Sequence, residues 1–139
     1  MISFKDMEEC VFCKIVSKEI KAWKVFENDH ALAFLDIHPA SKYHTLVIPK
    51  KHYENIFDIP DMELKEVIGI VKKLTTLYKT KLGIENVQII NSSGSEAQQD
   101  VFHFHFHIVP RKSGDGQDIV WKTHPEWTAT FDRLISDLK

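Results

Sequence analysis

The chain lacks the features that define several large protein classes. Only two cysteines occur in 139 residues, too few for the disulfide framework of a small secreted domain. No apolar run approaches the roughly 20 residues needed to span a bilayer. Met1-Ile2-Ser3-Phe4-Lys5-Asp6 lacks the apolar stretch that follows the basic start of a signal peptide. A cytoplasmic protein with no membrane partner is therefore expected. An excess of one charge is missing too. A formal net charge of -2 provides no general electrostatic footprint for DNA or RNA, so no nucleic-acid partner is expected; a local site for a small anion remains open. There is no internal repeat, low-complexity tract or linker. The apolar content is 43%, which suits a single domain with its own core over residues 1–139, the last of them (about 113–139) forming a C-terminal tail.

Hydrophobic periodicity outlines the elements. Residues 11–18 read as a short helix. Trp23 to Glu27 and Ala31 to Leu35 read as strands joined at Asn28-Asp29, a hairpin. Asp36 to Lys42 is a loop, and His44 to Ile48 a third strand ended by Pro49. Asp61 is the expected N-cap of a long amphipathic helix whose apolar residues, Met62, Leu64, Val67, Ile68, Val71, Leu74, Leu77 and Tyr78, recur mostly three or four apart. Gly83 ends it. Val87 to Ile90 is a fourth strand and residues 91–100 a polar loop. Phe131, Leu134, Ile135 and Leu138 suggest a short terminal helix, and Trp121 and Trp127 a docked tail. Consecutive strands with hairpin-length connections and one main helix predict an α+β fold with a five-stranded, mostly antiparallel sheet.

One segment carries more than packing information. In His103-Phe104-His105-Phe106-His107-Ile108-Val109, histidine and bulky apolar residues alternate, which predicts a strand with three imidazoles on one face and Phe104, Phe106 and Ile108 on the other. Three readings compete: a solvated sheet face, a metal site, or a division of labour between two sites. Histidines two apart on a strand start about 7 Å apart and can share an ion, whereas the outer two, about 13 Å apart, cannot easily do so. The preceding loop, Asn91-Ser-Ser-Gly-Ser-Glu-Ala-Gln-Gln-Asp100, favours division of labour, since a small polar loop can turn backbone N–H groups toward an anion. A neutral imidazole beside it is a competent nucleophile at phosphorus. Cys10 and Cys13 form a Cys-x-x-Cys pair that can be a redox couple, half of a metal site, or a chance spacing. No strand pattern precedes it, as a thioredoxin-like couple would require, and a zinc site needs two more ligands, which histidines can supply.

At this point the chain resembles the histidine triad (HIT) superfamily, whose signature alternates three histidines with apolar residues and matches His103 to Val109 at every position. Cys10-Val-Phe-Cys-Lys-Ile-Val16, Phe34-Leu-Asp-Ile37, His44-Thr-Leu-Val-Ile-Pro-Lys-Lys-His52 and the loop before the triad are similar to the histidine triad nucleotide-binding (Hint) branch, in order over residues 8–112. The resemblance implies a HIT-like fold that pairs into a ten-stranded sheet in a homodimer, with the tail near the partner's active site. It implies an enzyme cleaving at the α-phosphorus of purine nucleoside phosphoramidates; the alternatives are a dinucleoside polyphosphate hydrolase, a metal-dependent hydrolase with the triad as ligands, and a non-enzymatic nucleotide-binding scaffold.

Residue by residue, the resemblance makes His105 the nucleophile and has His107 contact the α-phosphate and leaving group. Asp36 and Ile37 match the ribose-holding positions, although Asp36 also reads as a residue capping its own turn. Gln98, Gln99, Asp100 and Val101 match the phosphate side, acting largely through backbone. Ser92 falls where a side-chain amide is usual, and Asn91 is one residue away. Cys10, Cys13, His52 and His103 match the ligands of a structural zinc in bacterial-type relatives. Two positions depart from the pattern: glycine is usual at Gln98, and Asp100 adds a carboxylate beside an anion site. His44 is expected to make only a local hydrogen bond, His30, His38 and His124 to lie on the surface, and Lys50, Lys51, Arg111 and Lys112 to be solvated.

Overall fold

Five short segments pair into one wholly antiparallel sheet, in which the fifth in sequence is inserted between the third and the fourth. The computed structural model describes residues 4–139, with burial described from Asp6 onward; Met1–Ser3, part of the N-terminal reading above, lie outside the described residues. The elements are α1 (Phe4–Glu9), α2 (Val11–Val16), β1 (Lys24–Glu27), β2 (Ala31–Leu35), β3 (Thr45–Pro49), α3 (Asp61–Leu82), β4 (Val87–Ile90), β5 (Phe106–Pro110) and α4 (Phe131–Asp137). The expected α+β architecture with one long helix is therefore present. α1 was not foreseen.

The sheet is covered on both sides. Ala31, Ala33, Val47, Phe104 and Ile108 pack with Val67, Ile70, Val71, Leu74 and Tyr78 of α3. Leu32, Phe34, Leu46 and Ile48 pack with Phe12 of α2. β2, and β3 after Thr45, are thus apolar because they lie between two layers. Truncating Leu74 to Ala would leave a cavity costing about 2–5 kcal/mol. Tyr78 Oη donates to Thr45 Oγ1 at 2.6 Å, and that hydroxyl donates onward to Tyr43 O at 2.7 Å, so this buried polar pair ties α3 to β3.

Helix α3 starts one residue off the expected frame. Asp61 is its first helical residue rather than its cap, Pro60 precedes it, and no side chain caps the end. Asp61 and Glu63 in the first turn complement the positive end of the helix. Gly83 ends the helix at φ 69°, letting Ile84 N–H return to Tyr78 O at 3.3 Å.

The histidine segment needs a larger correction. Its strand spans only Phe106–Pro110. Pairing with β3 runs from Thr45↔Ile108 to Val47↔Phe106. Beyond Phe106 the backbone finds other partners: Phe104 N–H donates to Tyr53 O at 2.6 Å, and Asn91 Nδ2 donates to His105 O at 3.0 Å. The alternation of faces survives without the ladder. Phe104, Phe106 and Ile108 face the α3 core, while His103 and His105 are buried on the other side under Phe12.

The expected terminal helix is α4, preceded by a 3₁₀ turn over Pro125–Thr130, but it does not dock on the chain's own core. Trp121, Trp127, Phe131, Leu134, Ile135 and Leu138 are all exposed. Only its root is pinned. Arg111, expected to be solvated, donates to Gln88 Oε1 at 2.5 Å, to both carboxylate oxygens of Asp115 at 2.7 and 2.8 Å, and to Asp118. Lys50 likewise pairs with Glu27 at 2.8 Å. Among the described residues no helix is long and apolar enough to cross a membrane.

Candidate functional site

The first turn of α2 brings one half of the site to the sheet. Cys10 caps α2, its sulfur accepting from Cys13 N–H at 3.4 Å. Cys10 Sγ lies 3.4 Å and Cys13 Sγ 3.6 Å from His103 Nδ1, and Cys13 Sγ lies 3.2 Å from His52 Nδ1. All four side chains can offer one atom each within 4.8 Å of one another. With Zn–S near 2.3 Å and Zn–N near 2.0–2.1 Å, tetrahedral ligands stand about 3.3–3.8 Å apart, so these spacings fit a closed four-ligand metal centre.

The donor chemistry fits as well. His103 donates Nε2–H to Pro49 O at 2.8 Å, which fixes its lone pair on Nδ1, toward the sulfurs. Burial, opposed by the Pro49 carbonyl and reinforced by neighbouring His52, lowers His103 to about 4, and burial also lowers His52. Both are thus neutral imidazoles, as ligands must be. Burial and the adjacent Cys10 push the Cys13 thiol up to about 12, the opposite of what a nearby cation would do.

The other half lies along the same segment. His105 is buried, and its ring meets the edge of Phe12 at 5.2 Å and 89°. Its Nδ1–H donates to His103 O at 2.8 Å, so the neutral ring carries its lone pair on Nε2. Asn91 holds the His105 carbonyl, accepts from Ser93 Oγ at 2.8 Å, and Ser93 in turn accepts from Ile56 N–H at 3.0 Å. Ser92 takes no part in this network.

His107 is adjacent, its ring centroid 5.0 Å from that of His105. Its Nδ1 lies 2.9 Å from His44 Nε2. The tautomers follow from one backbone group. Ala40 N–H donates to His44 Nδ1 at 2.9 Å, so neutral His44 carries its proton on Nε2 and donates a hydrogen bond to His107 Nδ1. Neutral His107 must then keep its own proton on Nε2. Burial, reinforced by His105 and His44, lowers His107 to about 4, against the pull of Asp36 and Asp100; burial also lowers His44, opposed by Asp36. Asp36 Oδ2 lies 3.5 Å from His44 Nε2. Its Oδ1 accepts from His38 N–H at 2.8 Å, so it does cap its own turn, with the second oxygen turned toward the histidines. Ile37 beside it is exposed.

Asp36, His44 and His107 also stand close enough to share an ion, but their hydrogen bonds do not suit one. With Nδ1 accepting from Ala40, His44 has no lone pair left on Nε2. The two clusters are therefore chemically different.

The loop before the triad is built from its own side chains. Gln99 is buried; its Oε1 accepts from Gly94 N–H at 2.8 Å, and its Nε2 donates to Glu54 O and Val101 O at 2.7 and 3.1 Å. Gln98 takes φ 71°, a left-handed conformation that explains why glycine suits this position. Gln98 and Gln99 N–H groups are engaged within the loop, by Ser95 O and Gly94 O. Val101 N–H donates to Asp100 Oδ1 at 2.9 Å, and the Val101 side chain packs beside Phe12 and Leu46. Asp100 Oδ1 lies 3.6 Å from His105 Nε2.

Sequence reasoning missed His44 and Phe12. His44 reaches His107 because β3 and β5 pair antiparallel with Leu46 opposite His107, which makes His44 its diagonal neighbour. Only a known register could have revealed it.

Residues 17–114 match the HIT domain family. The chain is 53% identical over 130 residues to an uncharacterized HIT-like protein of Methanocaldococcus jannaschii, covering 94% of this chain and 98% of that one. It is 39% identical over 135 residues to an adenosine 5'-monophosphoramidase of Schizosaccharomyces pombe, covering 94% and 98%. Among solved structures it resembles a Zn-bound histidine triad family protein from Mycobacterium smegmatis, with TM-score 0.76 and 31% identity, over 94% of this chain and 99% of that one.

Proposed function

The chain belongs to the HIT domain family, and from that premise we propose that it is a purine nucleoside phosphoramidase: a hydrolase that cleaves at the α-phosphorus of AMP-amide and AMP-lysine type substrates through a nucleotidyl-histidine intermediate. One observation carries the reading. Neighbouring imidazoles have opposite tautomers, with a lone pair on His105 Nε2 and a proton on His107 Nε2. A nucleophile and a hydrogen-bond donor thus stand side by side. The monophosphoramidase relative supports the substrate class.

In this mechanism His105 Nε2 forms a bond to phosphorus as the bond to the amide nitrogen breaks, and that nitrogen takes up a proton from bulk water and leaves as the amine. The Nδ1–H bond to His103 O supports the positive charge gained by the ring. His107 Nε2–H donates to the phosphoryl group and the departing nitrogen, where charge develops. Water then bonds to phosphorus, the bond to Nε2 breaks, the water's proton is released, and AMP is formed. Dividing one displacement into two is the gain of covalent catalysis. Asp36, with Ile37, holds the ribose through Oδ2. Asn91 orients His105, and the 98–101 loop flanks the phosphate.

Cys10, Cys13, His52 and His103 would hold a structural zinc. With four protein ligands, such an ion would supply folding energy rather than chemistry. Cys10 and Cys13 would then tie α2, and with it Phe12, against His105. The reading includes a cytoplasmic setting, which keeps both free cysteines reduced, and a homodimer, supported by the uncovered aromatic tail.

The test is turnover by the purified chain of an adenosine phosphoramidate against a diadenosine polyphosphate. We expect faster cleavage of the phosphoramidate. Preference for the polyphosphate supports the second enzyme reading, and AMP binding without turnover of either supports a scaffold.

A further inference from the structure

Asp100 places a negative charge where the proposed chemistry handles one. Its Oδ1 sits between a backbone donor, Val101 N–H at 2.9 Å, and His105 Nε2 at 3.6 Å. A phosphorus attacked by Nε2 must approach it to about 3–3.5 Å, which brings its non-bridging oxygens against this carboxylate. The Val101 N–H that could have received such an oxygen already holds an internal anion. Among the described residues nothing on that side offsets the charge: Glu54 and Asp58 line the adjoining cleft of about 920 Å³ with Asp100, and no lysine or arginine lines it.

We propose that Asp100 is a specificity-determining residue that selects against negative charge at the reacting phosphorus and on its leaving group, favouring phosphoramidates with an amine leaving group over polyphosphates. The inference rests on the hydrolase reading above for its substrates. A phosphoramidate monoester carries one negative charge at phosphorus and releases an uncharged or cationic amine. A polyphosphate brings several charges and releases an anion, and the product AMP is more negative at phosphorus than the phosphoramidate. The same carboxylate therefore weakens product inhibition. The Asp100 side chain is 76% exposed, so the discrimination is sensitive to salt.

The test compares wild type with Asp100→Asn and Asp100→Glu, each checked for an unchanged thermal transition. The first readout is the ratio of kcat/KM for an adenosine phosphoramidate of a primary amine to that for a diadenosine polyphosphate. We expect Asp100→Asn to lower this ratio by about tenfold or more, chiefly by faster polyphosphate cleavage, and Asp100→Glu to retain most of it. In about 0.5 M salt the wild-type ratio should move toward that of the Asn variant. The second readout is calorimetric binding of AMP against adenosine. Asp100→Asn should tighten AMP by about threefold or more and leave adenosine unchanged. This arm decides the proposal even if wild type cleaves neither substrate, an outcome that sinks the hydrolase reading alone. The proposal is overturned if AMP affinity and, where turnover exists, the substrate ratio stay within about twofold of wild type, or if Asp100→Asn slows both substrates equally, which would mark Asp100 as a general base.

Discussion

The two ends of the His103–His107 segment treat the same side chain in opposite ways. At the thiol end, His103 donates its Nε2–H to Pro49 O and turns Nδ1 toward two sulfurs. At the other end, His105 donates its Nδ1–H to His103 O and keeps its lone pair on Nε2, while His107 accepts at Nδ1 and keeps Nε2–H. Spacing and residue type are the same. What differs is the partner of the second ring nitrogen, and in each case it decides whether the first presents a lone pair or a proton, and so which of the proposed roles, ligand, nucleophile or donor, it can take. Second partners of this kind commonly set a histidine's role.

Each end of the segment can be altered separately. The largest effect is expected at the nucleophile: His105→Asn should lower phosphoramidate turnover by at least about 10³-fold, with AMP binding and metal content retained by calorimetry and elemental analysis. Removing a ligand should do the reverse. Cys13→Ala, or chelation of wild type, should cost about 3–4 kcal/mol of stability, seen as a lower midpoint in denaturant, while turnover of the protein that remains folded falls less than in His105→Asn. If chelation abolished chemistry in folded protein, the two ends would not be separable.

His44 tests the link between tautomer and role. His44→Gln should lower kcat by about 10–100-fold, the usual cost of removing a partner that orients a functional histidine, with little change in KM. A rise in KM alone would make His44 a binding residue. The smallest effect is the pH dependence of His107. Its pKa falls from 6.5 to about 4 on folding, so the unfolded chain binds the extra proton between these values. The contribution of neutral His107 to stability is therefore complete above pH 6.5 and declines as pH drops toward 4. Acid unfolding of His107→Gln should show a shallower decline over that window, and the His107 ring resonances should titrate near its lower edge.

Local patterning made α3, the hairpin strands and the Gly83 stop legible, because 3.6- and 2-residue periods need only neighbouring residues. Cys10, Cys13, His52 and His103, suggested by resemblance, do converge. Three features depended on partners distant in sequence. The segment His103–His105 reads as strand, yet its backbone bonds reach Tyr53 and Asn91. His44 reads as the start of a strand, yet it meets His107 63 residues away. The tail reads as docked because it is aromatic, and composition cannot say whether its covering surface lies on the same chain.

The central claim is that His105, held with its lone pair on Nε2, takes the nucleotide covalently. The most direct measurement mixes the protein with an adenosine phosphoramidate, quenches in base, where phosphohistidine linkages survive, and maps the adduct by mass spectrometry. An adenylyl mass is expected on His105, absent from His105→Asn. An adduct on His107 or His44, or full turnover by His105→Asn, would contradict the claim.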